Sequence, residues 1–222
     1  RYEIYKKMKK KNQNLTVTVP PKSYLELDKI NFFPLSGLSN TETIFCDENG
    51  YMASYKSDRY GFNNPDDQWN KNEIDIILIG DSFVEGVGVS RPQDIASILR
   101  DSGNDVLSLG LSGNGPLKNY AVIKEYLKSN HKKIFYLHFE GNDLIDLKQE
   151  LKNNFLIKYL DKDFKQNLYE NEFYLEPKGL WNGFVKIFYS RKLILSYLKL
   201  YSEKDNKKDI VEKNLNDFEK IL

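Results

Sequence analysis

The chain of 222 residues has one cysteine, two histidines and no long apolar run. Because Cys46 is alone, an intrachain disulfide and a zinc site built from cysteines are excluded. A transmembrane helix needs roughly twenty consecutive apolar residues, and the sequence offers no segment of that kind. With only His131 and His138 present, an imidazole base has two candidates within these residues.

An excess of charge of one sign is also missing, since 33 basic residues stand against 32 acidic ones. This balance gives no electrostatic reason to expect a nucleic-acid partner. Only residues 1–11 are locally basic, with six Lys or Arg and one Glu. Because cationic residues flank membrane-spanning segments on the cytoplasmic side, we expect either a membrane anchor outside this chain or a solvated lysine tail.

Residues 1–72 predict an irregular N-terminal leader that packs on a larger domain. Prolines and glycines recur through this part, and its strand-like text is the short alternating run LTVTVP from Leu15 to Pro20. From Asp75 the pattern changes to apolar runs that alternate with amphipathic segments. The domain itself is therefore expected to occupy residues 73–222.

Three apolar segments of strand length alternate with helical segments in this domain. The strands are predicted at DIILIG (75–80), DVLSLG (105–110) and KIFYLHFEGND (133–143). The helices are predicted at 92–103, 115–130 and 143–153. This alternation favours an α/β fold with a parallel sheet and helices on both faces. In such sheets, ligand chemistry gathers at the carboxyl ends of the strands.

The part after residue 153 does not continue the alternation. Residues 154–190 are rich in aromatic side chains without a regular period, which predicts an insertion. Within it, Trp181 lies between Gly179 and Gly183 and either stacks on a carbohydrate face or belongs to the core of the insertion. Two helical segments follow at 191–202 and 210–222, and the sequence stops inside the second one.

Each of the three predicted strands ends in a hydrogen-bonding group beside a glycine. The ends read GDS (80–82), GLSGNG (110–115) and EGND (140–143). A serine at a strand-to-helix turn has an exposed hydroxyl near backbone amides, which suits a nucleophile whose product is an oxyanion. If the strands are neighbours, the amides of Ser82 and Gly113 and the side chain of Asn142 form a three-donor oxyanion hole.

In this order on alternating strand ends, GDSFVEG, LGLSGNG and GND resemble blocks I, II and III of the SGNH (GDSL-type) hydrolase family. The preceding segment DRYGFNNP (58–65) resembles the one before block I in bacterial members linked to surface polysaccharides. The resemblance covers residues 58–150. It implies a flavodoxin-like three-layer α/β fold with a parallel sheet, which this chain is expected to carry without its C-terminal strand or strands.

The resemblance also implies an activity. Ser82 would be the nucleophile, and Ser82, Gly113 and Asn142 the oxyanion donors, in a serine esterase or deacetylase that needs no metal and no organic cofactor. The expected substrate is a small-molecule or carbohydrate ester, such as an O-acetyl group on a bacterial polysaccharide. A periplasmic or membrane-anchored extracytoplasmic location is favoured over the cytoplasm, and oligomeric state stays open.

The sequence departs from the family pattern in two places. Block II carries Ser108 where an Asn is usual, and the Asp-x-x-His of block V, which supplies the general base, does not occur. We expect that pair to lie beyond Leu222, so that residues 1–222 alone are nearly inactive. Two alternatives stay open, namely an O-acyltransferase that uses the same serine and an inactive binding module with the same fold.

Four further side chains near these motifs receive provisional roles. Asp81 is predicted to cap a helix or to contact substrate, and Glu85 to lie at a solvated rim. His131 is expected at the surface. His138 is expected in the core, four residues and roughly 13 Å below Asn142 at about 3.3 Å per strand residue, and therefore too far away to act as the base.

Overall fold

The computed structural model describes residues 2–18, 33–45 and 51–170. These residues belong to one compact unit that spans Arg1–Phe184. No helix in the described ranges is long and apolar enough to cross a membrane. The predicted C-terminal helices, most of the aromatic insertion and Trp181 lie outside these ranges, as does Cys46.

The N-terminal part contains more regular structure than its sequence pattern indicates. Helix α1 (Tyr2–Lys11) precedes a three-stranded sheet of β1 (Leu15–Val17), β2 (Glu42–Ile44) and β3 (Ser54–Lys56). Strands β1 and β2 are parallel, and β2 and β3 are antiparallel. A 3₁₀ helix follows at Asp66–Asn70. Strands of three residues are too short to show a period in the sequence, which explains why β2 and β3 are not predicted.

The second sheet contains β4 (Ile74–Ile79), β5 (Val106–Ser108) and β6 (His131–Tyr136) in the order β5-β4-β6. Both pairings of β4 are parallel, so the predicted parallel α/β arrangement is confirmed for the described strands. Consecutive residues Ile76–Ile79 of β4 are all buried. Because successive side chains of a strand point to opposite faces, both faces of β4 are covered.

Helices follow each strand of this sheet. After β4 come α2 (Ser82–Glu85) and α3 (Ile95–Asp101), and after β5 comes α4 (Pro116–Tyr126). After β6 come α5 (Asp143–Glu150), α6 (Asn154–Ile157) and a 3₁₀ helix (Lys158–Leu160), and α4 packs against all three. Helix α3 begins later than predicted because Asp94 caps it, accepting hydrogen bonds from Ser97 N at 3.0 Å and Ser97 Oγ at 2.6 Å.

Two glycines let helix α2 lie directly on the strand ends. A Cβ at Gly80 would come within 2.6 Å of a Val84 methyl group, and one at Gly110 within 2.5 Å of the Val84 Cβ. Val84 also belongs to the buried cluster that joins α2 and α3 to one face of β4 and β5. Glycine at both positions is therefore required for α2, the helix that carries Ser82, to approach the ends of β4 and β5 closely.

Side chains close the outer edge of β5. The Asn64 side chain accepts a hydrogen bond from Ser108 N (2.8 Å) and donates one to Ser108 O (2.9 Å). Gln68 accepts from Val106 N at 3.0 Å, and Arg100 donates to Val106 O. The outward backbone groups of β5 are thus bound by side chains in place of a further strand.

Buried Asp58 holds the segment that supplies Asn64. Its carboxylate accepts hydrogen bonds from the backbone amides of Tyr60 and Phe62 and from the side chains of Asn64 and Trp69, all at 2.7–2.9 Å. Burial raises the pKa of Asp58 to about 6, although these hydrogen bonds act in the opposite direction. DRYGFNNP is therefore a structural segment that seals the sheet.

Candidate active site

The three strand-end motifs meet at one edge of the second sheet. Since β4 lies between β5 and β6 and all three strands are parallel, their carboxyl ends share that edge. Beyond the strands, Leu111 N donates to Gly80 O at 3.4 Å and Leu137 N to Ile79 O at 2.9 Å. The rings of Phe83 and Phe139 lie 5.2 Å apart. The neighbouring strand ends that the oxyanion-hole prediction requires are thus present.

Ser82 is the first residue of α2 and is partly exposed. Asp81, which precedes it, caps the helix by accepting a hydrogen bond from Phe83 N at 3.0 Å. Neither the hydroxyl nor the backbone amide of Ser82 is hydrogen-bonded to any residue that the structure describes. Ser82 thus offers a hydroxyl and an unused amide at the start of the helix.

Gly113 is the second predicted donor, and it is also partly exposed. Its φ of +77° lies in the left-handed region that glycine adopts without strain. Its carbonyl accepts a hydrogen bond from the Lys118 ammonium. Its own amide has no hydrogen-bond partner in the described part of the chain. Two unused amides, those of Ser82 and Gly113, are therefore found on neighbouring strand ends.

Asn142 precedes α5 and is the third partly exposed residue. Its side-chain nitrogen donates to Asp146 Oδ2 at 2.9 Å, while its Oδ1 is buried without a partner among the described residues. A primary amide has two N–H groups. One is used by Asp146, and the second can serve an incoming oxyanion.

Glu85 does not lie at a solvated rim, so that prediction is wrong. The residue is fully buried, and its carboxylate accepts hydrogen bonds from Thr18 Oγ1 (2.9 Å), Tyr55 OH (3.1 Å), and both the amide and the hydroxyl of Ser112. Burial raises the pKa of Glu85. This one carboxylate joins the N-terminal sheet to the loop that carries Gly113.

A second buried charge cluster was missed by the sequence prediction. Glu150, at the end of α5, accepts hydrogen bonds from the first amides of α4, those of Gly115 (2.7 Å) and Leu117 (2.9 Å). It also lies 3.5 Å from the Lys118 ammonium, and both side chains are fully buried. Glu150 and its partners in α4 are more than thirty residues apart in the chain. A local sequence pattern cannot predict a pairing over that separation.

His138 is not a core residue, and its expected distance from the site is wrong for a structural reason. Strand β6 ends at Tyr136, and residues 139–143 turn back, with the amides of Asn142 and Asp143 donating to Phe139 O. The His138 side chain is 38% exposed, and its Nδ1 lies 2.9 Å from Oδ2 of buried Asp143. The same Oδ2 accepts a hydrogen bond from Phe139 N. The histidine therefore ties together the turn that carries Asn142.

The remaining predicted contacts are less informative. Asp81 is buried, and burial raises its pKa. Its observed contact is the hydrogen bond that caps α2, and a contact with substrate stays a prediction. His131 is partly exposed, and its Nδ1 lies 2.6 Å from Lys128 O. Within the described residues, no group of three His, Cys, Asp or Glu has a geometry that would hold a metal ion.

Comparison with known proteins gives distant matches. No family model matches the sequence, and no characterised protein matches it. Among solved structures, AlinE4, described as an SGNH-hydrolase family esterase, matches at 18% identity and a TM-score of 0.29 over 40% of this chain and 54% of that chain. Two variants of the same esterase match at 16% identity and the same TM-score, over 68% of this chain and 98% of theirs. A TM-score of 0.29 is too low to show that two chains share a fold. The function therefore has to be inferred from the residues of this chain.

Proposed function

We propose that this chain is a serine hydrolase of the SGNH type that cleaves an ester through an acyl intermediate on Ser82. The observation that carries the proposal is the pair of unused amides, those of Ser82 and Gly113, beside a partly exposed serine hydroxyl. Amides in this position are suited to stabilise the negative charge of a tetrahedral intermediate. The second N–H of the Asn142 side chain would be the third donor.

The reaction has two steps. Ser82 Oγ attacks the ester carbonyl carbon and loses its proton to a base. The intermediate collapses as the base returns that proton to the leaving oxygen, so that the alcohol is released and the acyl group stays on Ser82. Water then attacks the acyl-serine and releases the carboxylic acid. In the family that the motifs resemble, the base is the histidine of an Asp-x-x-His pair, and these 222 residues do not contain that pair.

For the substrate, we propose an O-acetyl ester on a bacterial polysaccharide. The support is the resemblance of DRYGFNNP to the segment before block I in polysaccharide-linked members. Transfer of the acetyl group to an acceptor hydroxyl would use the same serine and the same oxyanion donors, and it would differ only in what attacks the acyl-serine.

One observation favours a second candidate function. Because the sequence has no Asp-x-x-His, the donors at the strand ends could bind an acylated ligand without turning it over. A serine without a base is a poor nucleophile. In that case Ser82 would contribute a hydrogen bond to the ligand and not a covalent bond.

Fluorophosphonate labelling measured by intact mass tests the proposal on the protein as its gene encodes it. Covalent labelling is expected in the parent and in Ser90→Ala, which removes another partly exposed serine, and it should disappear in Ser82→Ala. Hydrolysis of p-nitrophenyl acetate and release of acetate from an acetylated polysaccharide should follow the same order. Ester hydrolysis that survives in Ser82→Ala would refute the serine mechanism, and ligand binding without labelling would favour the binding module.

A further inference from the structure

The Gly113 amide lies in a loop that buried charged side chains hold from both sides. On one side, Glu85 accepts hydrogen bonds from Ser112 N at 2.6 Å and from the Ser112 hydroxyl. On the other side, the Lys118 ammonium donates to Gly113 O. The amide between these two contacts is the one without a partner in the described residues. The loop is thus fixed without use of its proposed oxyanion donor.

Lys118 is not needed to complete the start of helix α4. Glu150 already accepts hydrogen bonds from the amides of Gly115 and Leu117, which satisfies N–H groups that a helix leaves open at its N-terminus. Burial of an ammonium group is unfavourable unless it is paired. The pairing with Glu150 at 3.5 Å makes the burial of Lys118 tolerable, and the loop carbonyl of Gly113 receives its hydrogen bond.

The conformation of Gly113 explains why the loop needs external support. At φ +77° the residue is in a region that glycine enters freely, but a glycine can also leave it freely. A donor that has to turn toward the oxyanion during the reaction stabilises it less than a donor already in place. Contacts on both neighbouring peptides limit that rotation.

We propose that Glu85, Ser112, Lys118 and Glu150 form a clamp that orients the Gly113 amide for the oxyanion. This Gly113 clamp rests on the proposed hydrolase function. Its members are positioning residues, because they act on the loop and not on the substrate. The main test is Lys118→Met, which keeps an unbranched side chain one atom shorter and removes its charge and its donor.

Lys124→Met is the matched control. Lys124 is on the same helix, and its ammonium also donates to backbone carbonyls, with 2.6 Å to Asp161 O. These carbonyls belong to the segment after α6 and not to the strand ends. The control therefore removes a lysine–carbonyl contact from α4 and leaves the Gly113 loop intact.

The first readout does not depend on activity. Labelling with [1-¹³C]serine and [¹⁵N]glycine selects glycines that follow a serine, which are Gly37, Gly103 and Gly113. The Gly113 signal should shift in Lys118→Met and not in Lys124→Met, while Gly37 and Gly103 keep their positions and show that the fold is intact. A Gly113 signal that stays in place in Lys118→Met overturns the clamp.

The second readout is steady-state ester hydrolysis. Removal of one oxyanion donor typically costs about a hundred- to a thousandfold in kcat, so a misoriented donor should cost about ten- to a hundredfold, with KM changed less than about twofold. Lys124→Met should match the parent, and equal kcat in both variants would refute the clamp. A parent without Ser82-dependent hydrolysis would refute the proposed function, while the Gly113 signal would still test the orientation of the loop.

Ser112→Ala decides the matter if Lys118→Met does not fold. This variant removes the hydroxyl donor to Glu85 and leaves no buried charge without a partner, because Glu85 keeps its other hydrogen bonds. The Gly113 signal should shift in the same direction and by less. No shift in Ser112→Ala would overturn the clamp.

Discussion

Replacement of Glu85 by glutamine keeps the size of a buried side chain and removes its charge. The parent carboxylate accepts hydrogen bonds from Thr18, Tyr55 and Ser112. In Glu85→Gln, the NH₂ group replaces one of the two oxygens. The three hydroxyl groups can rotate and become acceptors, but the Ser112 backbone amide cannot. The glutamine oxygen therefore has to face Ser112 N, and the NH₂ group faces the hydroxyls of Thr18 and Tyr55, whose own hydrogens then need other acceptors.

The cost follows from these displaced hydroxyl hydrogens and from the weaker bonds that remain. A buried donor without an acceptor costs about 1–3 kcal/mol, and hydrogen bonds to a charged group are stronger than those to a neutral one. Relief from burial of the charge offsets part of this loss. We expect Glu85→Gln to lower the free energy of unfolding by about 2–4 kcal/mol.

Urea denaturation followed by circular dichroism measures the difference. The control is Glu73→Gln, which removes an exposed carboxylate paired with Lys132 at 2.9 Å and should cost much less than Glu85→Gln, because exposed ion pairs contribute little to stability. The slope of the transition should stay the same, because both variants keep the fold. A loss below about 1 kcal/mol in Glu85→Gln would show that the displaced hydroxyls find other acceptors and that the charge of Glu85 is not what holds the loop.

Two further predictions concern other buried carboxylates. For Asp58, the folded state binds its proton more tightly than the unfolded chain, so stability should fall as pH rises from about 4 to 6 by about 3 kcal/mol, at about 1.4 kcal/mol per pKa unit. Asp58→Asn should lack that fall in urea titrations at each pH, and parallel curves for parent and variant would contradict the assignment. His138→Ala removes one hydrogen bond from Asp143, which keeps its bond from Phe139 N, so it should lower the free energy of unfolding by about 0.5–1.5 kcal/mol. It should slow fluorophosphonate labelling of Ser82 less than about tenfold, whereas a loss of about a thousandfold would identify His138 as the base.

The sequence predicts the parts of the fold that depend on local pattern. Continuous apolar runs such as residues 75–80 indicate strands covered on both faces, and their alternation with helical segments leads to the parallel sheet that the structure has. Glycine and a polar group at each strand end mark one edge of that sheet as the candidate site. Helix ends are less predictable, because Asp94 and not Pro92 determines where α3 begins.

Tertiary contacts explain the errors. Glutamate is a residue type that usually lies at the surface. The four hydrogen-bond donors to Glu85, however, come from three distant segments of the chain, and one of these donors is Tyr55. The pairing of Lys118 with Glu150 likewise depends on the packing of α4 against α5. The predicted position of His138 is wrong because the sequence pattern predicts a strand as far as residue 143, whereas β6 ends at Tyr136. The roles of Ser82 and the other donors in the reaction remain predictions.

The side chains along the outer edge of β5 determine on which side a further strand can join the sheet. With the outward groups of Val106 and Ser108 already bound by Gln68, Arg100 and Asn64, no strand from another molecule can pair there without displacing them. Among the strands that the structure describes, β6 forms the other edge, so a strand that enlarges this three-stranded sheet has to join beside it. The same side chains protect the protein against edge-to-edge aggregation on the β5 side. On the β6 side, the addition of a strand and self-association would compete for the same backbone groups.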